Sequence, residues 1–195
     1  MTQHQMDRRA AVNKLLAARD GALVVTGLGS PSYDVHAAGD EDSNFYLWGA
    51  MGGAALTGLG LAQAQRDTRV MVITGDGEQL MAFGALATIA VAAPKNLDII
   101  VLDNQHFGET GMQPSHTGRG ICLARVAAAT GFADSAELRS LEEVDALVDR
   151  LRMPAAGPRL FVLKIKAENL PRSLPPRDAV FVKNRFRAHL GLAPC

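Results

Sequence analysis

Two apolar runs, Val70-Met71-Val72-Ile73-Thr74 and Asp98-Ile99-Ile100-Val101-Leu102, each end in a polar turn, and this pairing constrains the fold more than any other feature of the chain. The turns are Gly75-Asp76-Gly77-Glu78 and Asp103-Asn104-Gln105-His106. Runs rich in β-branched residues and bounded by turn signals read as buried strands of a parallel sheet. Between them the Ala-rich stretch 79–93 has enough helix formers to cross back over that sheet. Such a strand–turn–helix–strand unit puts both polar turns at the same carboxyl edge, where α/β proteins bind ligands. Asp76 and Asn104 then offer oxygen ligands to one hard cation, and the glycines give a phosphate close access to the backbone. The helix N-terminus after Gly77 favours an anion at the same place.

The remaining elements continue the alternation. Apolar spacing predicts a helix over 6–19, a short buried strand over 22–26, and a helix opened by Ser30-Pro31 that runs to about residue 38. Residues 39–44 form a polar loop, followed by apolar Phe45-Tyr46-Leu47 and a small-residue helix to Gln65. The segment 106–120, with four glycines, Pro114 and two histidines, reads as a long functional loop. Helices are predicted over 119–130 and 140–152, a strand over 159–165, and a last helix from Pro175 to about Leu190. The whole is expected to be a single α/β domain spanning 1–195: a doubly wound, mostly parallel sheet with helices on both faces.

Bulk properties exclude several classes. Lys plus Arg and Asp plus Glu both number 20, so the formal net charge is zero and no basic patch points to nucleic acid. Neutrality also removes charge as an aid to solubility and suits subunit association. Cys122 and Cys195 have neither metal-ligand nor redox spacing, so a reducing cytoplasm is the expected compartment. Cys195, His4 and His36 are expected at the surface. The start of the chain lacks the pattern of a secretory signal, and the longest apolar stretch, 49–64, is too short and too Gly-rich to span a bilayer.

Taken with their spacing, Gly75-Asp76-Gly77 and Asp103-Asn104 resemble the thiamine diphosphate motif, which begins Gly-Asp-Gly and ends in Asn-Asn. Asp103 stands where that motif has its first Asn. The resemblance implies Mg²⁺ held by the side chains of Asp76 and Asn104 and the backbone carbonyl of His106, with Gly75, Gly77, Glu78 and Gln105 beside the diphosphate. It also implies that Gly49 accepts a hydrogen bond from the aminopyrimidine and that Met51 is the apolar wedge that bends the cofactor. Without the polar turns, Met51 reads as core and its flanking glycines as a tight helix contact. Glu78 has no physical account at this stage, because a carboxylate beside diphosphate is repelled unless turned away.

The chain is more closely similar to the sulfopyruvate and phosphonopyruvate decarboxylases. Gly29-Ser30-Pro31-Ser32, the segment from Asn44 to Gly52, and Gly108-Glu109-Thr110-Gly111-Met112-Gln113-Pro114-Ser115-His116-Thr117 match that family's diphosphate-binding part over roughly 21–130. The likeness implies decarboxylation of a small 2-oxo acid to an aldehyde, with His116, Gln113 and Thr117 as candidate substrate contacts. His116 reads equally well as a hydrogen-bonded fastener of its loop. The activating Glu of such enzymes comes from a separate pyrimidine-binding domain, for which this chain has no room. A partner α subunit carrying that Glu is therefore expected, giving a hetero-oligomer, or a homo-oligomer when the chain is alone. Competing readings are an acetolactate synthase-like carboligase, a 2-oxo acid oxidoreductase subunit, and a non-catalytic cofactor-binding subunit.

Overall fold

The structure, a computed structural model, describes residues 6–194; the expectations for His4 and Cys195 lie outside the described residues. Helix α1 (Arg8–Ala17) leads into strand β1 (Leu23–Thr26), helix α2 (Ser30–Ala38) and strand β2 (Asn44–Tyr46). Helix α3 (Ala54–Ala64) precedes β3 (Val70–Gly75), α4 (Asp76–Met81), α5 (Ala85–Ala92) and β4 (Leu97–Asp103). A two-stranded ribbon follows, β5 (His106–Phe107) and β6 (Gln113–Pro114), then α6 (Leu123–Thr130), β7 (Asp134–Leu138), α7 (Leu141–Arg152), β8 (Arg159–Lys164) and α8 (Ala179–His189).

Six strands form one parallel sheet in the order β2-β1-β3-β4-β8-β7. The central strands β1, β3, β4 and β8 are buried along their whole length, apart from half-buried Gly75 at the end of β3, as expected of a sheet covered on both faces. Alternate side chains feed two cores. Leu23, Val25, Val72, Ile99, Val101 and Val162 face α3, α5, α6 and α8, while Val24, Met71, Ile73, Ile100, Phe161 and Leu163 face α1, α2 and α7. After β1 the chain goes one way to β2 and returns on the other side as β3, so the order reverses between β1 and β3. In doubly wound sheets that reversal opens a crevice at the carboxyl edge.

Helix starts follow local chemistry. Asp7 accepts from Ala10 N at 2.8 Å, and Asp178 accepts from Val180 N and Phe181 N at 2.9 and 3.0 Å. Ser140 and Glu143 form a reciprocal capping box on α7. Several expectations need correction. The single helix over 79–93 is two helices that bend through Ala82, Phe83 and Gly84, because α4 begins directly at the sheet edge and the chain must turn to lie back along the sheet. Strand β7 was not legible, since its Asp-Ser-Ala-Glu-Leu sequence has no apolar run and gains its conformation from pairing with β8. The loop over 106–120 holds the β5–β6 ribbon and two short 3₁₀ turns, and the helix expected from 119 starts at Leu123. His36 is half-buried rather than at the surface, its Nδ1 2.7 Å from Ser173 Oγ.

Candidate functional site

A cavity of about 230 Å³ lies where the strand order reverses. The turn after β1 contributes Leu28, Ser30 and Pro31, the turn after β3 contributes Gly75 through Glu78, and the segment after β4 contributes Asn104 and His106. Met51, Met81, Arg8 and Ile165 also line it. The close approach of these loops explains one glycine directly: a Cβ on Gly77 would lie 3.0 Å from Phe107 Cδ1.

Asp76, 2% exposed, sits at the first position of α4. Its Oδ2 accepts from Ser115 Oγ at 2.5 Å and lies 3.1 Å from Thr117 Oγ1. Thr117 Oγ1 is also 2.7 Å from Asp103 Oδ1, and its single hydrogen serves one carboxylate at a time. Burial, and then the Asp103 charge, push the Asp76 carboxyl up to about 6, against the pull of the two hydroxyls. Asp103 is better compensated: Gln105 N donates to its Oδ1 at 2.9 Å and buried Lys164 pairs with its Oδ2. Asn104 Oδ1 accepts from His106 N at 2.9 Å, which folds the turn back on itself and fixes the amide. A buried carboxylate with no cationic partner, lining one cavity with Asn104 and His106, fits the oxygen-donor chemistry a magnesium–diphosphate group requires. Among the described residues no three His, Cys, Asp or Glu side chains form a metal cluster, and this donor set does not need one.

Glu78 finds its account here. Its Oε2 accepts from Thr74 Oγ1 at 3.0 Å and its Oε1 from Ala54 N at 3.4 Å, with the amides of Leu28 and Gly52 also donating to the carboxylate. One side chain thus fastens the turn after β1, the segment before α3 and the end of β3. Gly27 allows it, since a Cβ there would come within 1.6 Å of Glu78 Oε2. Burial raises the Glu78 carboxyl, and these donors oppose the rise.

The predicted residues distribute unevenly. Met51, Gly75, Asp76, Gly77, Glu78, Asn104 and His106 line the cavity. Gly49 does not; it is exposed, with φ of 77°, a left-handed conformation that suits glycine in the turn before Met51. Gln105 faces a second, more open hollow with Thr117, Arg125, Glu137 and Lys164. Gln113 is exposed and its amide bonds Thr110, while exposed His116 stacks edge-on against Phe107 at 6.1 Å. Thr117 is buried between the two carboxylates, so its contacts are with Asp76 and Asp103 and not with the first cavity. Sequence reasoning passed over Ser115 and Lys164. Lys164 ends β8 opposite Asp103 in register, a signal visible only once β4 and β8 are known to be neighbours.

A parallel sheet with a cavity at the strand-order reversal, lined by Asp76 and Asn104 at its carboxyl edge, is the arrangement in which α/β domains bind ligands. The chain belongs to the thiamine pyrophosphate enzymes: residues 35–163 match the family model of their C-terminal TPP binding domain. It is 41% identical over 123 residues to sulfopyruvate decarboxylase subunit beta of Methanocaldococcus jannaschii, covering 63% of this chain and 64% of that one. It is 39% identical over 191 residues to the phosphonopyruvate decarboxylase of Streptomyces viridochromogenes, covering 96% of this chain and 47% of the relative. The chain therefore spans less than two thirds of either relative. In structure it superposes on benzoylformate decarboxylase from Polynucleobacter necessarius with a TM-score of 0.74 at 17% identity, covering 85% of this chain and 34% of that one. Among the described residues no helix is long and apolar enough to cross a membrane.

Proposed function

We propose that this chain is the diphosphate-binding β subunit of a thiamine diphosphate- and Mg²⁺-dependent decarboxylase acting on a small 2-oxo acid of the sulfopyruvate or phosphonopyruvate type. The observation that carries the reading is the convergence of Asp76, Asn104 and His106 on one cavity at the carboxyl edge. Asp76 and Asn104 would hold the metal through side-chain oxygens and His106 through its carbonyl, with diphosphate and water completing the shell. Thiamine diphosphate, when bound, supplies the nucleophilic carbon and electron sink by which a 2-oxo acid loses CO₂ and leaves as an aldehyde.

This chain's share is placement. Ser115 and Thr117 orient Asp76, Lys164 neutralises Asp103, and Glu78 holds the segment that carries Met51 against the polar turn. Met51 would act as the apolar wedge that bends the cofactor, a role its place on the cavity lining at 57% exposure supports. His116 and Gln113, outside the cavity, are reserved for contacts that form with the partner chain in place. The expected partner is an α subunit supplying the activating carboxylate, and the names of the beta-subunit relatives support a two-chain enzyme.

Two measurements test the reading. Calorimetry on the chain with Mg²⁺ should show thiamine diphosphate binding that Asp76→Ala abolishes; an unchanged affinity in that variant refutes the metal assignment. CO₂ release from sulfo- or phosphonopyruvate should require this chain and its partner together. A mixture that binds the cofactor but is inert on every 2-oxo acid makes the chain a binding subunit instead.

A further inference from the structure

The first cavity is lined by three carboxylates and one guanidinium, and the second hollow reverses that balance. Arg125, Arg139 and Lys164 line it against Glu137 alone, around a space of about 540 Å³. Glu137 is already engaged: its Oε1 accepts from Arg139 Nη2 and its Oε2 from Cys122 Sγ, each at 2.9 Å. Lys164, 4% exposed, is paired with Asp103. Arg125 is exposed, and among the described residues its guanidinium has no hydrogen-bond or ion-pair partner. The hollow therefore carries positive charge that its own carboxylate does not match.

The strand order gives a second, independent reason to expect a ligand here. β4 and β8 are neighbours, yet the chain leaves them towards opposite faces. Beyond β4 it passes through the ribbon into α6, which packs on the face of α3, α5 and α8. Beyond β8 it runs along α1 on the other face, where Lys166 N donates to Met6 O at 3.0 Å and Glu168 O accepts from Arg8. Diverging connections open a crevice at the carboxyl edge, the place where α/β sheets take ligands. Lys164 ends β8 and Gln105 lies two residues beyond β4, and both line the hollow. The hollow also shares a wall with the first cavity. Thr117 lines the hollow, and its hydroxyl lies 3.1 Å from an oxygen of Asp76, which lines the cavity. Gln105, at a left-handed φ of 64°, lines the hollow while its neighbours Asn104 and His106 line the cavity.

We propose that the second hollow binds a small organic polyanion, with Arg125 and Arg139 taking its carboxylate or phosphate oxygens beside Lys164. A guanidinium presents paired donors to either group. The volume favours an organic acid over a bare inorganic ion, which could not reach cations set around so large a space. Occupancy is linked to the metal turn through the pairs Lys164–Asp103 and Thr117–Asp76. An anion in the hollow and a cation at Asp76 attract each other across that shared wall, so each raises the affinity for the other. The linkage, though not the site, rests on the metal assignment proposed above.

The test uses the full chain with Cys195→Ser, which leaves Cys122, on the lining of the hollow, as its one thiol. Alkylation of that thiol by iodoacetamide, followed by mass spectrometry, should slow as citrate or 3-phosphoglycerate is added at constant ionic strength. Arg125→Ala and Arg139→Ala should each raise the half-protecting concentration about 10-fold, with the circular dichroism spectrum unchanged. Sulfate at the same ionic strength should protect far less; protection by sulfate equal to that of the organic acids overturns the polyanion assignment. If neither acid protects, or if protection survives both substitutions, the site is wrong and the proposed function stands. Buffered free Mg²⁺ should lower the half-protecting concentration of 3-phosphoglycerate about 5-fold or more, and Asp76→Ala should remove that effect. Protection that Mg²⁺ does not move, in a chain that binds Mg²⁺ and thiamine diphosphate, overturns the linkage alone. A chain that binds neither overturns the metal assignment and the linkage with it, while protection by the acids still upholds the site.

Discussion

Asp76 is a carboxylate kept in a place that disfavours its charge, and the consequence for stability has a definite sign. Its folded value, about 6, stands above the ordinary 3.8, so the metal-free fold holds that proton more tightly than the unfolded chain does. The stabilisation is complete below about pH 4 and is lost as pH rises through 6. Asp76→Asn should therefore raise the denaturation midpoint of the metal-free chain near pH 7, by about 1–3 kcal/mol, with the gain vanishing towards pH 4. A gain that is the same at both pH values would show that burial of this charge is not its source. Lys164 is the converse case, because its ammonium is what makes Asp103 tolerable beside Asp76. Lys164→Met should cost about 3–5 kcal/mol in urea denaturation, and adding Asp103→Asn should recover much of it. If the single and double variants are equally unstable, the lysine matters for packing and not for charge. Glu78 shows how far residue type alone can mislead: a carboxylate next to a phosphate site looks misplaced until the amides it receives are seen.

At the level of elements, the four central strands and both polar turns were legible: β1, β3 and β4 are apolar, β-branched runs closed by Gly, Asp or Asn, and β8 is a short apolar run, all buried on both faces. The illegible parts take their conformation from distant partners. Strand β7 exists because β8 pairs with it, and the ribbon of β5 and β6 because His106 and Phe107 meet Pro114 and Gln113. The same division holds in the site: Asp76 and Asn104 stand in a local motif, whereas Ser115 and Lys164 reach it through tertiary contacts from 39 residues and 61 residues away. The break between α4 and α5 is a further case, and it is testable. Gly84 has helical φ and ψ of −66° and −19°, and a Cβ there would meet no atom within 4 Å. Gly84→Ala should raise thermal stability by about 0.4–1 kcal/mol by restricting the unfolded chain. A lower melting temperature would mean that the bend needs glycine for a reason beyond backbone entropy.

Across the whole molecule, the crevice edge adjoins an apolar surface. Met51, Leu56, Met81, Phe83 and Val91 are all exposed, Val91 by 89%, and no charged residue occurs between Glu78 and Lys95. An uncharged face beside the cavity is what a subunit would cover, and the isolated chain is expected to bury it by self-association. Sedimentation should show assemblies that Phe83→Glu/Val91→Glu disperses; a parent that sediments as a monomer removes this expectation. The strand order carries one more consequence, for a chain made from its amino end. Strand β7 is synthesised before β8 yet pairs with nothing else in the sheet, and β8 must slide between it and β4. Until the ribosome has released Arg159–Lys164, β4 remains a bare edge and Asp103 has no cation. Growth of the sheet thus waits on one late segment, and a chaperone or a protease meeting the nascent chain would find both polar turns already written but not yet closed.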